Sequence, residues 1–139
     1  MDIKNEDKVK HLEMIQGVIS RMAGNSFLLK GWAVLLVSAL FALAAKDTQI
    51  LFIFLAYFPA FTFWILDGYY LRQERLFRAL YDKVRAMSEP DIDFSMDTST
   101  VSAGVDSWAG VMFSSTLVIF HGTIVVSIVM IMVIALLIT

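Results

Sequence analysis

Two ionisable side chains stand where this chain otherwise has almost none. Lys30 lies at the start of one apolar stretch and Asp67 just past the end of the next, with the polar turn Lys46, Asp47, Thr48 and Gln49 between the two stretches. Counted outward from the centre of that turn, the two residues lie at nearly the same depth on adjacent helices. A charge near a membrane is expensive unless it is paired. The plain expectation is a salt bridge that fixes the register of a helical hairpin. The sharper one is a pair that breaks and re-forms as the protein switches state.

The second constellation lies near the C-terminus. Thr116, Thr123 and Ser127 fall at i, i+7 and i+11, one stripe of a helix, with Phe120 between them and His121 and Gly122 beside it. The ordinary reading is hydroxyls bonded back to carbonyls of their own helix, and a histidine donating to a neighbouring helix. The functional reading is a pore formed by several copies of this helix, wetted by Thr116, Thr123 and Ser127 and narrowed by Phe120 or Met130. One chain supplies too few spans to enclose such a path, so this reading requires oligomers.

The third is electrostatic. Arg72, Arg75, Arg78, Lys83 and Arg85 decorate a helical repeat whose apolar face carries Phe77, Leu80, Val84 and Met87; with Glu74 and Asp82 the segment is net +3. It could meet anionic lipid headgroups or a polyanionic ligand. Residues 88–107 reverse the sign, with Glu89, Asp91, Asp93, Asp97 and Asp106 unaccompanied by any base. The stretch reads as a loop, and the alternation of Ile92, Phe94 and Met96 would suit a short strand. The run from Asp91 to Asp97 lacks the glycine and glutamate of a calcium loop, which excludes an EF-hand.

Motifs for enzyme chemistry are missing: no glycine-rich phosphate loop, no HExxH, no GxSxG. His11 and His121 are the two histidines, one per distant segment, and there is no cysteine. A metal site, a cofactor and a catalytic role are therefore not expected.

These residues need elements to hold them. Of 139 residues, 58% are apolar and 17% charged, with a mean hydropathy of +0.72; soluble domains are about a quarter charged. Thr48–Leu66 and Ser107–Thr139 contain no Asp, Glu, Lys or Arg, and such blocks reach the roughly 18 residues that mark a spanning helix. The expected fold is all-α and polytopic, with three transmembrane helices. Residues 1–25 form a cytoplasmic amphipathic helix (Val9, Leu12, Ile15, Val18, Ile19 and Met22 on one face) that ends at Gly24–Asn25 and lies on the membrane or against a partner subunit. Residues 26–70 form the transmembrane hairpin, with spans Phe27–Ala45 and Gln49–Leu66 and a kink at Pro59. Small residues Gly31, Ser38, Ala42 and Ala45 on the first span and Ala56 and Ala60 on the second suggest a packing seam. Residues 71–107 hold the basic helix and acidic loop, and residues 108–139 the third transmembrane helix, with Thr116–Thr139 as the span and Ser107–Ser115 as a helical extension projecting below the membrane.

Ten of eleven Lys and Arg lie before the uncharged part of the first span or between the second and third. The positive-inside rule then places the N-terminus and residues 67–107 in the cytoplasm and the C-terminus outside. Trp32, Trp64, Tyr69, Tyr70 and Trp108 mark the same interface. No cleavable leader is expected, because acidic residues precede the first apolar block.

The stretches HLEMIQGVISRMAGNSFLLKGWAVLLVSALFALAAKD, FWILDGYYLRQERLFRALYDKVR and DIDFSMDTS resemble a group of small bacterial inner-membrane proteins. The overall plan also resembles compact membrane effectors of bacterial anti-phage systems, such as the channel partner of the Hailong nucleotidyltransferase. That likeness implies a homo-oligomeric channel, closed by a nucleotide or oligonucleotide and opened on infection to depolarise the inner membrane. It carries no functional residue over. The functional expectation is an oligomeric ion-conducting effector, with four subunits as the expected number, gated from the cytoplasm. The rival is a non-conducting anchor that recruits a soluble partner.

Overall fold

The computed structural model describes residues 3–47 and 49–138. Met1, Asp2, Thr48 of the expected turn and Thr139 at the expected end of the third span lie outside the described residues. Among the described residues every regular element is helical: α1 (Ile3–Asp47), α2 (Leu51–Ala86), the single-turn α3 (Trp108–Met112) and α4 (Ser115–Ile138), with 3-10 turns at Glu89–Asp91 and Ser99–Gly104. Within α1, α2 and α4 lie helical segments long and apolar enough to cross a membrane.

α1 has 45 residues. That is about 67 Å at 1.5 Å per residue, roughly twice a ~30 Å hydrocarbon core. The expected break at Gly24–Asn25 is absent; the helix passes through both. Glycine weakens a helix by only about 1 kcal/mol relative to alanine, and the packing on either side outweighs that. Ile15 and Ile19 are buried against Leu80, Val84 and Ile92, with Leu12, Phe77 and Met87 around them. Leu12, Ile15 and Ile19 of the amphipathic face thus pack against the chain's own α2, while Val9 stays exposed. Lys8 tightens this end. Its ammonium donates to the carbonyls of Met87 (2.8 Å) and Arg85 (3.2 Å), the orphan acceptors at the C-terminus of α2.

The apolar end has a second core of Val37 from α1, Ile53, Ala56 and Ala60 from α2 and Ile128 from α4. The seam on α2 is where the alanines place it. On α1 it is not: Gly31, Ser38, Ala42 and Ala45 are exposed, and Ala33 and Val37 face inward instead. Asp67 draws in Ser26 and Lys30, and the helical period then carries Ala33 and Val37 to the same side. α2 runs unbroken through Pro59, which is buried.

Two further expectations change. The region before α4 is not a continuous extension of the third span: α3 ends at Met112, and the chain turns at Phe113 and Ser114 before α4 begins. Residues 92–96 are not a strand. The alternation Asp93, Ser95, Asp97, Ser99 places a short polar side chain two residues before each next backbone N–H. Asp93 accepts from Ser95 N (3.0 Å), Ser95 Oγ from Asp97 N (3.1 Å), and Asp97 from Ser99 N (2.9 Å). Side chains take up the donors a sheet partner would have used.

Candidate functional site

Ser26 and Lys30 are four residues apart on α1 and therefore share a face. Asp67 on α2 meets that face, and His121 on α4 approaches from the third side. The Asp67 carboxylate is fully buried and receives three donors: Ser26 Oγ at 2.5 Å and Lys30 Nζ at 2.6 Å from α1, and the His121 Nε2 position at 2.8 Å from α4. Lys30 also donates to Ser26 Oγ at 2.9 Å. With Nε2 as the donor, all three contacts present a donor to a carboxylate acceptor, and Lys30 supplies the balancing charge.

Aromatic side chains wall the cluster. The indole of Trp64 stacks on the imidazole of His121, with ring centroids 5.8 Å apart and planes 9° from parallel. Phe120 sits edge-on to His121 and lies under the Lys30 ammonium at 5.8 Å, within range of a cation–π attraction. α3 closes the end. Trp64 Nε1 donates to the Met112 carbonyl (2.9 Å) and Trp108 Nε1 to that of Ile65 (3.2 Å). Gly68 makes this possible, since a Cβ there would collide with the Met112 side chain. Tyr69 packs edge-on against Tyr70 and Trp108 at the same level.

One polar atom in the cluster has no partner. His121 Nδ1 is buried and makes no hydrogen bond, although most buried polar atoms do. The ion pair links two helices, as the depth of Lys30 and Asp67 predicts; Ser26, His121 and Trp64 extend it to a three-helix node. The signal for Ser26 is its four-residue offset from Lys30. Nothing in the spacing points His121 at Asp67 in particular.

The hydroxyl stripe lies elsewhere on α4. Thr116 and Thr123 are exposed, and Phe120 and Ser127 are half-buried. Thr123 Oγ1 donates to the Ile119 carbonyl (2.6 Å) and Ser127 Oγ to that of Thr123 (2.8 Å). The donors are thus spent inside the helix and the oxygen lone pairs remain available. Met130 is also exposed.

The basic residues of α2 are largely neutralised by the chain itself. Arg75 pairs with Asp106 (3.2 Å), Arg78 with Glu74 (2.7 Å) and Arg85 with Asp82 (3.5 Å), while Arg72 donates to the Asp106 carbonyl (3.1 Å). Lys83 is exposed beside a small recess that also includes Asp93, Ser95 and Asp97. Asp97 is fully exposed, and hydrogen bonds from the Ser99 hydroxyl and backbone N–H hold its carboxyl below the usual carboxylate range. Among the described residues no group of three or more His, Asp or Glu gathers to hold a metal ion. Comparison with protein-family models, with curated proteins and with solved structures finds no match to this chain.

Proposed function

We propose that this chain is a homo-oligomeric, ion-conducting protein of the bacterial inner membrane, with the charged ends of α1 and α2 in the cytoplasm and the C-terminus outside. The observation that carries the reading is the orientation of α4. On a helix otherwise rich in Ile, Val and Leu, Thr116 and Thr123 point away from the bundle with Ser127 at its margin. Because Thr123 and Ser127 have their donors bonded within the helix, their oxygens can accept from water or coordinate a cation without further cost to the backbone. Three helices cannot enclose a path of their own, so the stripe would line one only where several copies, in our reading four, bring α4 together around an axis. The stripe carries no charge, which favours a weakly selective conduit. In the defence setting that the resemblance implies, opening would depolarise the cell, and a nucleotide or oligonucleotide would act on the cytoplasmic end near Arg72, Arg75, Arg78, Lys83 and Arg85.

Purified protein reconstituted in liposomes should pass monovalent cations, and Thr123→Leu with Ser127→Leu should reduce that flux at least tenfold while leaving the oligomer intact. Absence of flux with and without nucleotide ligands removes the proposal.

A second reading, a non-conducting anchor for a soluble partner, is favoured by Phe94. This residue is 48% exposed and has a φ of 56°, packed edge-on against His11. A positive φ is unusual for a bulky residue, and such strain concentrates at working positions. A stoichiometric soluble partner that is lost with Phe94→Ala, together with no ion flux, would select this reading.

A further inference from the structure

The orphaned ring nitrogen of His121 is the one feature of the node that charge pairing leaves unexplained. Asp67 Oδ2 receives both Lys30 Nζ, at 2.6 Å, and His121 Nε2, at 2.8 Å. With an ionised Asp67, a charged Lys30 and a neutral imidazole, the cluster has no net charge, as a buried site in a membrane requires. Nδ1 then holds a bare lone pair, buried and without a donor. We propose that this cluster is a proton-binding latch, in which uptake of a proton at His121 loosens α4 from the α1–α2 hairpin.

The step is simple in its balance: a proton from water adds to Nδ1, and no covalent bond breaks. Its consequences are unfavourable for the packed state on three counts. Two cations now share one carboxylate oxygen. The node becomes net positive where His121 and Asp67 are 1% and 0% exposed, and an uncompensated buried charge is costly. The new Nδ1–H finds no acceptor. The ionisable groups gathered at His121 are Asp67 from α2 and Lys30 from α1; α3 (Trp108–Met112) contains none, and neither does the rest of α4. Among the described residues no second carboxylate contacts His121 to absorb the added charge. α4 has the most to lose, because His121 is its hydrogen-bonded tie to α2 at this end, while Ile128 packs at the other.

The latch would be the regulation of the conduit proposed above and rests on that reading for its consequence, but it is testable without flux. The absence of cysteine permits paired spin labels at exposed positions, Leu43→Cys on α1 and Val133→Cys on α4. Label separation is measured in liposomes at about pH 8 and about pH 5, the range over which imidazole ordinarily titrates. Nitrogen-15 spectra of labelled histidine report ring protonation in the same samples, with His11→Gln assigning the two signals. The expected result is that His121 becomes an imidazolium on acidification and the label separation lengthens. His121→Gln, whose amide can still donate to Asp67, should keep the short separation at both pH values. Lys30→Met removes the competing cation, so ring protonation should no longer lengthen the separation; this variant carries the test if His121→Gln does not fold. A ring that stays neutral across the range, or one that protonates with no change in separation, overturns the latch. So does lengthening that is equal in His121→Gln. Lengthening without flux at either pH supports the latch and removes the pore; acid-induced flux that is unchanged in His121→Gln does the reverse.

Discussion

In the apolar half of the long hairpin, Lys30 meets Asp67 with side chains 21% and 0% exposed; at the charged end, Arg75 meets Asp106 with side chains 34% and 68% exposed. The two contacts have the same chemistry and opposite surroundings. Water around Arg75 screens the attraction and solvates either partner alone, so such pairs are worth about 0–1 kcal/mol. Asp67 is fully buried, so bulk solvent does not reach it to replace a lost donor. The carboxylate therefore has three donors from two helices, whereas Asp106 has an arginine on one side and solvent on the other. The charged end is held by apolar burial of Ile15, Ile19, Leu80 and Val84, and its ion pairs dress the surface. On the reading that the apolar half spans a bilayer, burial against lipid as oily as leucine would supply little drive, and the polar node ties α1, α2 and α4 together.

The largest effect that could break this contrast is the loss of Asp67. Asp67→Ala strands Lys30 and His121 together in a buried site, and removing one partner of a buried pair costs about 3–5 kcal/mol. Lys30 can relieve part of this by reaching toward the interface, which places the expectation near the lower bound. Thermal unfolding in mild detergent should show the loss. A double variant, Lys30→Met with Asp67→Leu, should recover most of it, because two matched apolar groups replace two matched charges. If Asp67→Ala unfolds no earlier than the parent, the node is not what holds the three helices together.

Much of this arrangement was legible beforehand, for identifiable reasons. Charge-free blocks dictate spans, and equal depth on a hairpin dictates that Lys30 and Asp67 meet. The faces of Leu80 and Val84 and of Ile15 and Ile19 follow from the helical period. What was illegible depended on partners. Gly24–Asn25 reads as a stop only when the pairing of α1 with α2 is unknown. The small residues of α1 read as a seam only when the pull of Asp67 on Ser26 and Lys30 is left out. Residues 92–96 alternate as a strand would; Ser95 and Asp97 decide otherwise, because their side chains compete for the backbone donors. His121 could have faced any neighbour, since histidine has no preferred depth on an apolar helix.

The middle of the scale sharpens the contrast directly. Arg75→Ala should lower stability by less than about 1 kcal/mol, measured by the same unfolding as Asp67→Ala. The difference should persist in high salt, which screens exposed charges and barely touches buried ones. A loss from Arg75→Ala equal to that from Asp67→Ala would mean that the α3 junction, where Asp106 also receives Arg72 at its carbonyl, holds the bundle as firmly as the node does.

The smallest expected effect concerns a carboxylate that stays in water. The Ser99 hydroxyl donates to Asp97 at 2.6 Å and the Ser99 backbone N–H at 2.9 Å, and both bonds favour the ionised form. Since the folded value lies below the ordinary one, the stabilisation is fully present above the unfolded carboxylate range, near pH 4, and disappears as the pH falls through the depressed folded value. Carbon-13 carboxyl titration should find Asp97 below the usual aspartate range, and Ser99→Ala should return it toward that range. Acidification from neutrality to pH 5 should leave the Asp97–Ser99 contact unchanged, because that interval lies above both values. An Asp97 that titrated at the ordinary value would mean that the turn ladder from Asp93 to Ser99 is not formed in solution.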